Sequence, residues 1–356
     1  MRRDAFTKDK LFVTDTSLDA FGPPEIIDIE PIHTCNFRCV MCHVSHENLT
    51  HTAIDVEALR RSIASLPLKG RWAVVGATHE PTMHPQFDEI VAMLTTAGMR
   101  IDLTTNGSLF TDKLIDKIKG GRFSRITVSF DGAEASTYEK IRRRANFQRT
   151  LDRVRAFKQA VGNADTYYTL NYTMTRSNVN QIDDAVDLWE REDFDHISFI
   201  AMVRRSDDPE TVAECLDDVH DRVQQNLMMA AERVIRDKLR ITLSSSVFNG
   251  STLSAIYPRS FLGNVVISDN PEAVHAVNCR PYFQEGYYPD VTVGCRSPYK
   301  HVRVTFNGDV YLCFDKFSVG NICRGTLSDL WYGAASTGVR SSIKHDGSIC
   351  QRGGDS

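Results

Sequence analysis

Three cysteines crowd into eight residues, Cys35-Asn-Phe-Arg-Cys39-Val-Met-Cys42, directly after the apolar run Glu25-Ile-Ile-Asp-Ile-Glu-Pro-Ile. Nothing else in the chain constrains it so strongly. One tight loop of this spacing can turn three thiolates toward a single iron–sulfur cube. A closed [4Fe–4S] site takes four ligands, so one iron is left for a group that is not protein. Zinc is the rival, since Cys39 and Cys42 form a CxxC to which His43 or His46 could add. Ordinary buried thiols have no reason to bunch on one loop. The spacing points first to iron–sulfur chemistry, subject to the context in which the loop sits.

The nine cysteines fall into two groups, because only Cys215 lies between Cys42 and Cys279. In a chain whose start, Met1-Arg-Arg-Asp-Ala-Phe, has no apolar run behind its charges, such cysteines are expected to bind metal or act chemically rather than form disulfides. A length of 356 residues with 42% hydrophobic content suits one large domain and a smaller one, and the net charge of −4 suggests neither nucleic acid nor an anionic membrane as partner. No uninterrupted apolar stretch reaches about 18 residues, so a cytoplasmic location is expected.

Residues 1–24 read as a polar lead-in. Six strands then alternate with helices over 25–203: strands at 25–32, 72–75, 101–105, 126–130, 168–174 and 197–203, and helices at 56–63, 87–94, 112–118, 136–160 and 182–189. This rhythm predicts an α/β domain with a parallel sheet or partial barrel, in which ligands gather at the carboxyl ends of the strands. The cysteine loop follows the first strand at that end. A single long helix is expected over 209–239, with Cys215 packed in the core. The stretch 241–290 breaks into short aromatic-rich pieces, an irregular connection or a substrate cover. Val302 to Cys313 reads as a β-hairpin around Asn307-Gly308, which would bring Cys295 and Cys313 together. The expected divisions are 1–24, 25–205, 206–278 and 279–356.

With these motifs in place, the chain resembles the radical S-adenosylmethionine (SAM) superfamily. The resemblance implies a partial (β/α)6 barrel of the TIM type, with Cys35, Cys39 and Cys42 holding a [4Fe–4S] cluster whose fourth iron is chelated by SAM. It implies reductive cleavage of SAM to a 5′-deoxyadenosyl radical that takes hydrogen from substrate, and a reducing partner such as flavodoxin or ferredoxin. Met41 occupies the place of the residue set against the adenine. Gly76-Ala-Thr78-His79-Glu80-Pro81 is similar to the family's Gly-Gly-Glu-Pro segment, with Thr78 and His79 in place of both glycines and Glu80 as receiver of the SAM amino group. Asn106, Ser129 and Asp131 stand where relatives hold the ribose and carboxylate, and Arg142 where a guanidinium could pair with the carboxylate. Asp131 could instead cap the next helix, Arg142 could belong with Arg143 and Arg144 to a solvated basic face, and His79 is either an acid/base group or a polar turn residue.

The C-terminal part resembles the auxiliary-cluster module called twitch, a shortened form of SPASM. By that resemblance Cys295, Cys313 and Cys350 are ligands of a second [4Fe–4S] cluster. Gly353 stands where a further cysteine is expected, leaving Cys279 as the preferred fourth ligand and Cys323 as its competitor. Unassigned thiols, Cys323 and Cys215 among them, are candidate hydrogen-atom donors or simply buried groups. The expected function is hydrogen abstraction from a small polar metabolite such as a sugar, aminocyclitol or nucleotide sugar, giving epimerisation or dehydrogenation, since no peptide-binding domain is recognisable ahead of Glu25. The alternatives are maturation of a ribosomal peptide and a zinc-binding protein that kept the barrel.

Overall fold

The computed structural model describes residues 22–161, 165–249, 265–268, 297–312 and 317–345. The elements of the first half are β1 (Ile26–Ile29), β2 (Arg38–Cys39), α1 (Val56–Ala64), β3 (Trp72–Val75), α2 (Phe87–Thr96), β4 (Arg100–Thr105), α3 (Asp112–Ile118), β5 (Phe123–Ser129), α4 (Ala135–Ile141), β6 (Arg142–Arg143), α5 (Phe147–Val161), β7 (Tyr167–Met174), α6 (Ile182–Arg191) and β8 (His196–Ala201). There follow α7 (Pro209–Ala213), α8 (His220–Arg236), β9 (Thr242–Asn249), β10 (Val265–Ser268), α9 (Ser297–Lys300), β11 (His301–Val304), β12 (Asp309–Leu312), β13 (Phe317–Asn321), α10 (Leu327–Tyr332) and α11 (Ala334–His345).

One sheet organises all of this, in the order β10-β9-β8-β7-β5-β4-β3-β1-β11-β12-β13. Neighbours from β10 to β11 run parallel, and β12 and β13 add antiparallel. The expected α/β partial barrel is therefore present, with the C-terminal hairpin on its β1 edge. Strands covered on both faces need near-continuous apolar runs, and β1 shows this, with all four residues buried. Its one charge, Asp28, cannot stay unpaired in such a place. It faces β11, where His301 Nε2 and Arg303 Nη1 lie 3.9 and 3.8 Å from Oδ2. The parallel register sets Asp28 opposite Arg303. Helices close the faces with apolar stripes, as in α6, where Ile182, Ala185, Val186 and Trp189 are buried at helical spacing. Among the described residues, no helix is long and apolar enough to cross a membrane.

Three expectations are corrected. The helical region 136–160 is broken: α4 ends at Ile141, Arg144 takes φ +70°, and Arg142 and Arg143 pair with β2 before α5 begins. Apolar periodicity persists across this break, which is why it is invisible in the pattern. The helix expected over 209–239 is likewise two, α7 and α8. Between them Glu214 is pinned to the loop after β7, its carboxylate accepting from Ser177 N–H at 2.9 Å and Ser177 Oγ at 2.6 Å and its carbonyl accepting from Arg176 N–H at 2.9 Å. Cys215 thus lies in a turn. The stretch 241–290, expected as short strand-like pieces of a connection outside the sheet, supplies β9 and β10 to it, so the sheet continues past residue 205.

Gly76 follows β3 with φ +80°, and a Cβ there would stand 2.4 Å from Pro81 Cγ and 2.8 Å from the Thr104 carbonyl oxygen. Gly76→Ala is expected to lower stability by about 1–3 kcal/mol. Urea unfolding should show this as a lower midpoint at unchanged slope; an unchanged midpoint would contradict the close approach.

Candidate active site

The cysteine loop leaves β1 and is fastened on every side. Thr34 O accepts the Glu80 N–H at 3.0 Å, and Val40 N–H donates to Ile141 O at 2.9 Å. Asn36 donates from Nδ2 to Ser108 Oγ at 2.8 Å and accepts at Oδ1 from Asn106 Nδ2 at 2.9 Å. Within the loop, Arg38 Nη1 donates to the carbonyls of Cys35 and Phe37 at 2.7 and 2.8 Å, and Ser45 Oγ donates to Cys39 O at 2.7 Å. The three thiols are free. Among the described residues, the group of ligand atoms that converges as a mononuclear ion requires is not this one but His33, Glu47 and His79.

Burial pushes the Cys35 thiol up to about 11, with the nearby Glu80 adding to the effect. It pushes Cys39 up to about 12 against the pull of Arg142, and raises Cys42 as well.

Two buried carboxylates shape the segment after β3. Glu80 is 2% exposed. Its Oε1 accepts from Thr82 Oγ1, Thr82 N–H at 3.3 Å and Thr105 Oγ1 at 2.7 Å, while Oε2 accepts from Asn106 N–H at 2.7 Å. Burial raises its pKa and these donors oppose the rise. Glu30, at the end of β1, accepts the N–H groups of Thr78 and His79 at 2.9 and 3.0 Å. Arg303 of the hairpin reaches the same place, donating from Nη2 to Thr78 Oγ1 at 3.3 Å, with Glu30 Oε2 at 3.6 Å. Sequence reasoning missed Glu30, Arg303 and Asn36. An acid closing an apolar strand, as in Ile29-Glu30, was the available signal for the first.

Asp131 does not cap α4, whose N-cap is Glu134. Its Oδ1 accepts the Thr173 N–H at 2.7 Å, and its Oδ2 lies 2.7 Å from Arg142 Nη2. Arg142 is buried, unlike the exposed Arg143 and Arg144, and its Nη1 stands 4.0 Å from Cys39 Sγ. Asn106 ties Glu80 to Asn36, and Ser129 ends β5 half-buried. Met41 packs against buried Met202 and Cys215. The Cys215 thiol donates to Thr211 O at 3.7 Å. Cys323 is exposed in the turn after β13, beside Gly308, whose carbonyl accepts the Ile322 N–H at 2.8 Å. Cys279, Cys295, Cys313 and Cys350 lie outside the described residues.

His79 is 9% exposed and meets His33 edge-on, ring centroids 4.6 Å apart, with Phe306 of the hairpin stacked on His33 at 4.4 Å. The arrangement joins the cysteine loop, the ends of β3, β4 and β5, and the hairpin into one mouth at the carboxyl ends of the parallel strands.

Residues 29–189 match the radical SAM superfamily, and residues 295–352 match the SPASM iron–sulfur cluster-binding domain. Residues 29–189 thus form a radical SAM domain, and residues 295–352 a SPASM-type iron–sulfur module at the C-terminus. Its cofactors are accordingly a [4Fe–4S] cluster, SAM and auxiliary iron–sulfur. It is 27% identical over 194 residues to the AdoMet-dependent heme synthase of Methanosarcina barkeri, a match covering 53% of this chain and 54% of that protein. It is 23% identical over 320 residues to the probable GTP 3′,8-cyclase of Sulfurisphaera tokodaii, covering 87% and 89%. In fold it resembles Streptococcus suis SuiB bound to SAM, with TM-score 0.59 and 17% identity over 89% of this chain and 68% of that one.

Thiols with raised pKa values enter a cluster protonated and must release their protons on ligation. Cluster affinity is therefore expected to rise with pH, so that anaerobic loading at limiting iron increases between about pH 6.5 and about pH 8.5. Iron and sulfide per chain measure this; loading independent of pH would mean that the thiolates are already formed.

Proposed function

We propose that this protein cleaves SAM reductively and removes hydrogen from a carbon of a small polar metabolite, giving epimerisation or dehydrogenation. The observation that carries the reading is the three-thiol loop at the carboxyl end of β1, set between buried Glu80 and buried Arg142. When bound, the cluster and SAM supply a 5′-deoxyadenosyl radical, at the expense of one electron from a reductant of the flavodoxin or ferredoxin kind in the cytoplasm.

In this reading Cys35, Cys39 and Cys42 hold three irons. Glu80 takes the SAM ammonium. A carboxylate has about four acceptor positions, and Oε2 of Glu80 has one internal donor while Oε1 has three, so Oε2 is the free end. Thr78, Asn106 and Ser129 line the amino-acid and ribose side, and Met41 the adenine side. Arg142 is already committed to Asp131 and to Cys39, which favours a role as fixed positive charge beside the cluster thiolate over pairing with the SAM carboxylate. Cys295, Cys313 and Cys350 serve the auxiliary cluster. Cys279 is preferred to Cys323 as fourth ligand, since some relatives of this module recruit a cysteine upstream of the hairpin.

The metabolite reading draws support from relatives named for haem synthesis and for GTP cyclisation. SuiB has also been solved with its precursor peptide SuiA, so a peptide is the competing substrate class. Genome neighbours separate them: a short precursor gene beside this one would overturn the metabolite reading.

Wild-type holoenzyme with reductant should release 5′-deoxyadenosine, and Cys39→Ala should release none. Glu80→Gln should raise the KM for SAM by about 10- to 100-fold at unchanged iron content, the size of a lost hydrogen bond to a charged group. Wild-type cleavage matched by Cys39→Ala would sink the proposal. With substrate in hand, deuterium from solvent retained at carbon marks epimerisation through a thiol, and Cys323→Ser tests which thiol; a new carbonyl marks dehydrogenation.

A further inference from the structure

Three side chains at the mouth of the sheet point their ligand atoms at one another. Glu47 Oε2 lies 3.4 Å from His33 Nε2 and 3.5 Å from His79 Nε2, and the three ligand atoms fall within 4.8 Å of one another. Ligands each about 2.0–2.2 Å from a shared ion stand roughly 3–3.5 Å apart. The spacing is that of a coordination shell.

The far sides of both rings are set for the same purpose. His33 Nδ1 meets the Thr50 hydroxyl at 2.9 Å and accepts the Thr50 N–H at 3.2 Å; a metal at Nε2 requires the other tautomer, with Nδ1–H donated to the hydroxyl. His79 Nδ1 lies 3.5 Å from Glu30 Oε1. Histidines that bind metal through one nitrogen characteristically present the other to a carboxylate or oxygen acceptor, which fixes tautomer and ring plane. Phe306 stacks on His33 and holds that ring from the hairpin side.

A second observation is independent of the cluster's shape. His79 is more than nine-tenths buried, yet neither ring nitrogen makes a hydrogen bond. A buried polar atom left without a partner costs about 1–3 kcal/mol. Such an atom in a native fold calls for a ligand or another explanation. The carboxylates 3.5 Å away do not align to satisfy the two ring nitrogens, whereas an ion between Nε2 of His79, Nε2 of His33 and Oε2 of Glu47 would satisfy Nε2.

We propose that His33, Glu47 and His79 bind one first-row divalent cation of the zinc or ferrous class, separate from both iron–sulfur clusters. Imidazole and carboxylate together select ions of this borderline kind. His43 Nε2, 3.5 Å from Glu47 Oε1, holds the other carboxylate oxygen and so steadies Glu47. Three protein ligands leave positions open, as in sites that present a metal to a substrate oxygen and unlike closed structural sites.

The test uses reconstituted holoenzyme, treated with chelator and dialysed against zinc(II) alone, with zinc, iron and sulfide counted per chain by elemental analysis. Wild type should hold one zinc, and His79→Ala and Glu47→Gln should each bind it at least about tenfold more weakly, since even outer-shell losses reach that size. Iron and sulfide should be unchanged in both. Glu47 is exposed, so Glu47→Gln keeps the test valid if His79→Ala does not fold. Zinc X-ray absorption should show only nitrogen and oxygen neighbours at about 2.0–2.2 Å. Zinc binding equal in wild type and variants, no zinc bound at all, or a sulfur shell at about 2.3 Å would each overturn the proposal.

Discussion

A carboxylate taken out of water must find its hydrogen bonds inside the protein or lose its charge. Glu80 meets that demand by drawing donors from three places: Thr82 on its own turn, Thr105 at the end of β4 and the backbone of Asn106. Asn106 then holds Asn36, and Asn36 holds the cysteine loop. The position of three thiols is thus tied to the ends of two parallel strands through one acid. Glu30 repeats the device a few residues away, fixing the turn of Thr78 and His79 and accepting the approach of Arg303. Removal of either acid would leave several buried donors without partners, so these residues carry consequences well beyond their own contacts.

Arg142 illustrates how a site can depend on a broken rule. Apolar spacing runs from α4 into α5 without interruption, and a single helix would satisfy it. The chain instead leaves the helix at Arg142, pairs two residues with the cysteine loop and accepts a left-handed Arg144. Helix continuity is lost for the sake of a buried ion pair, Asp131 with Arg142. Such pairs seldom add net stability, because desolvation consumes most of the attraction, but losing one partner costs about 3–5 kcal/mol. What the break achieves is position: a guanidinium held 4.0 Å from the Cys39 sulfur.

Much of this was legible in the sequence. The strands at 72–75, 101–105 and 168–174 appear within a residue of expectation, since short β-branched and aromatic runs between turn residues admit few alternatives. The hairpin followed from Asn307-Gly308, where Gly308 takes φ +85°. Cys35, Cys39 and Cys42 stood out as candidates because three thiols share one short loop, and Glu80 because its segment resembles a family motif. Glu30, Arg303 and Asn36 were not, because their partners lie 48 to 225 residues away and no local pattern marks such a pairing. The two helix breaks escaped for a related reason. Each is made by a tertiary hydrogen bond or strand pair, and periodicity reports only which face is buried, not where the backbone turns aside.

The edge between β1 and β11 shows why the two modules cannot be read separately. A hairpin joined only by a linker would take His301 and Arg303 from beside Asp28, and Arg303 from Thr78. The parallel register that places Asp28 opposite Arg303 also carries the turn at Phe306 over His33 and His79. One strand pairing therefore decides two things together: where the hairpin sits, and which of its side chains lie over the ends of the parallel strands. The same edge supplies the aromatic wall behind His33, so a substitution that shifts β11 by one residue would turn Arg303 to the other face. Asp28 and Thr78 would lose their partner, and the histidine pair its cover, without any change to the cysteine loop itself.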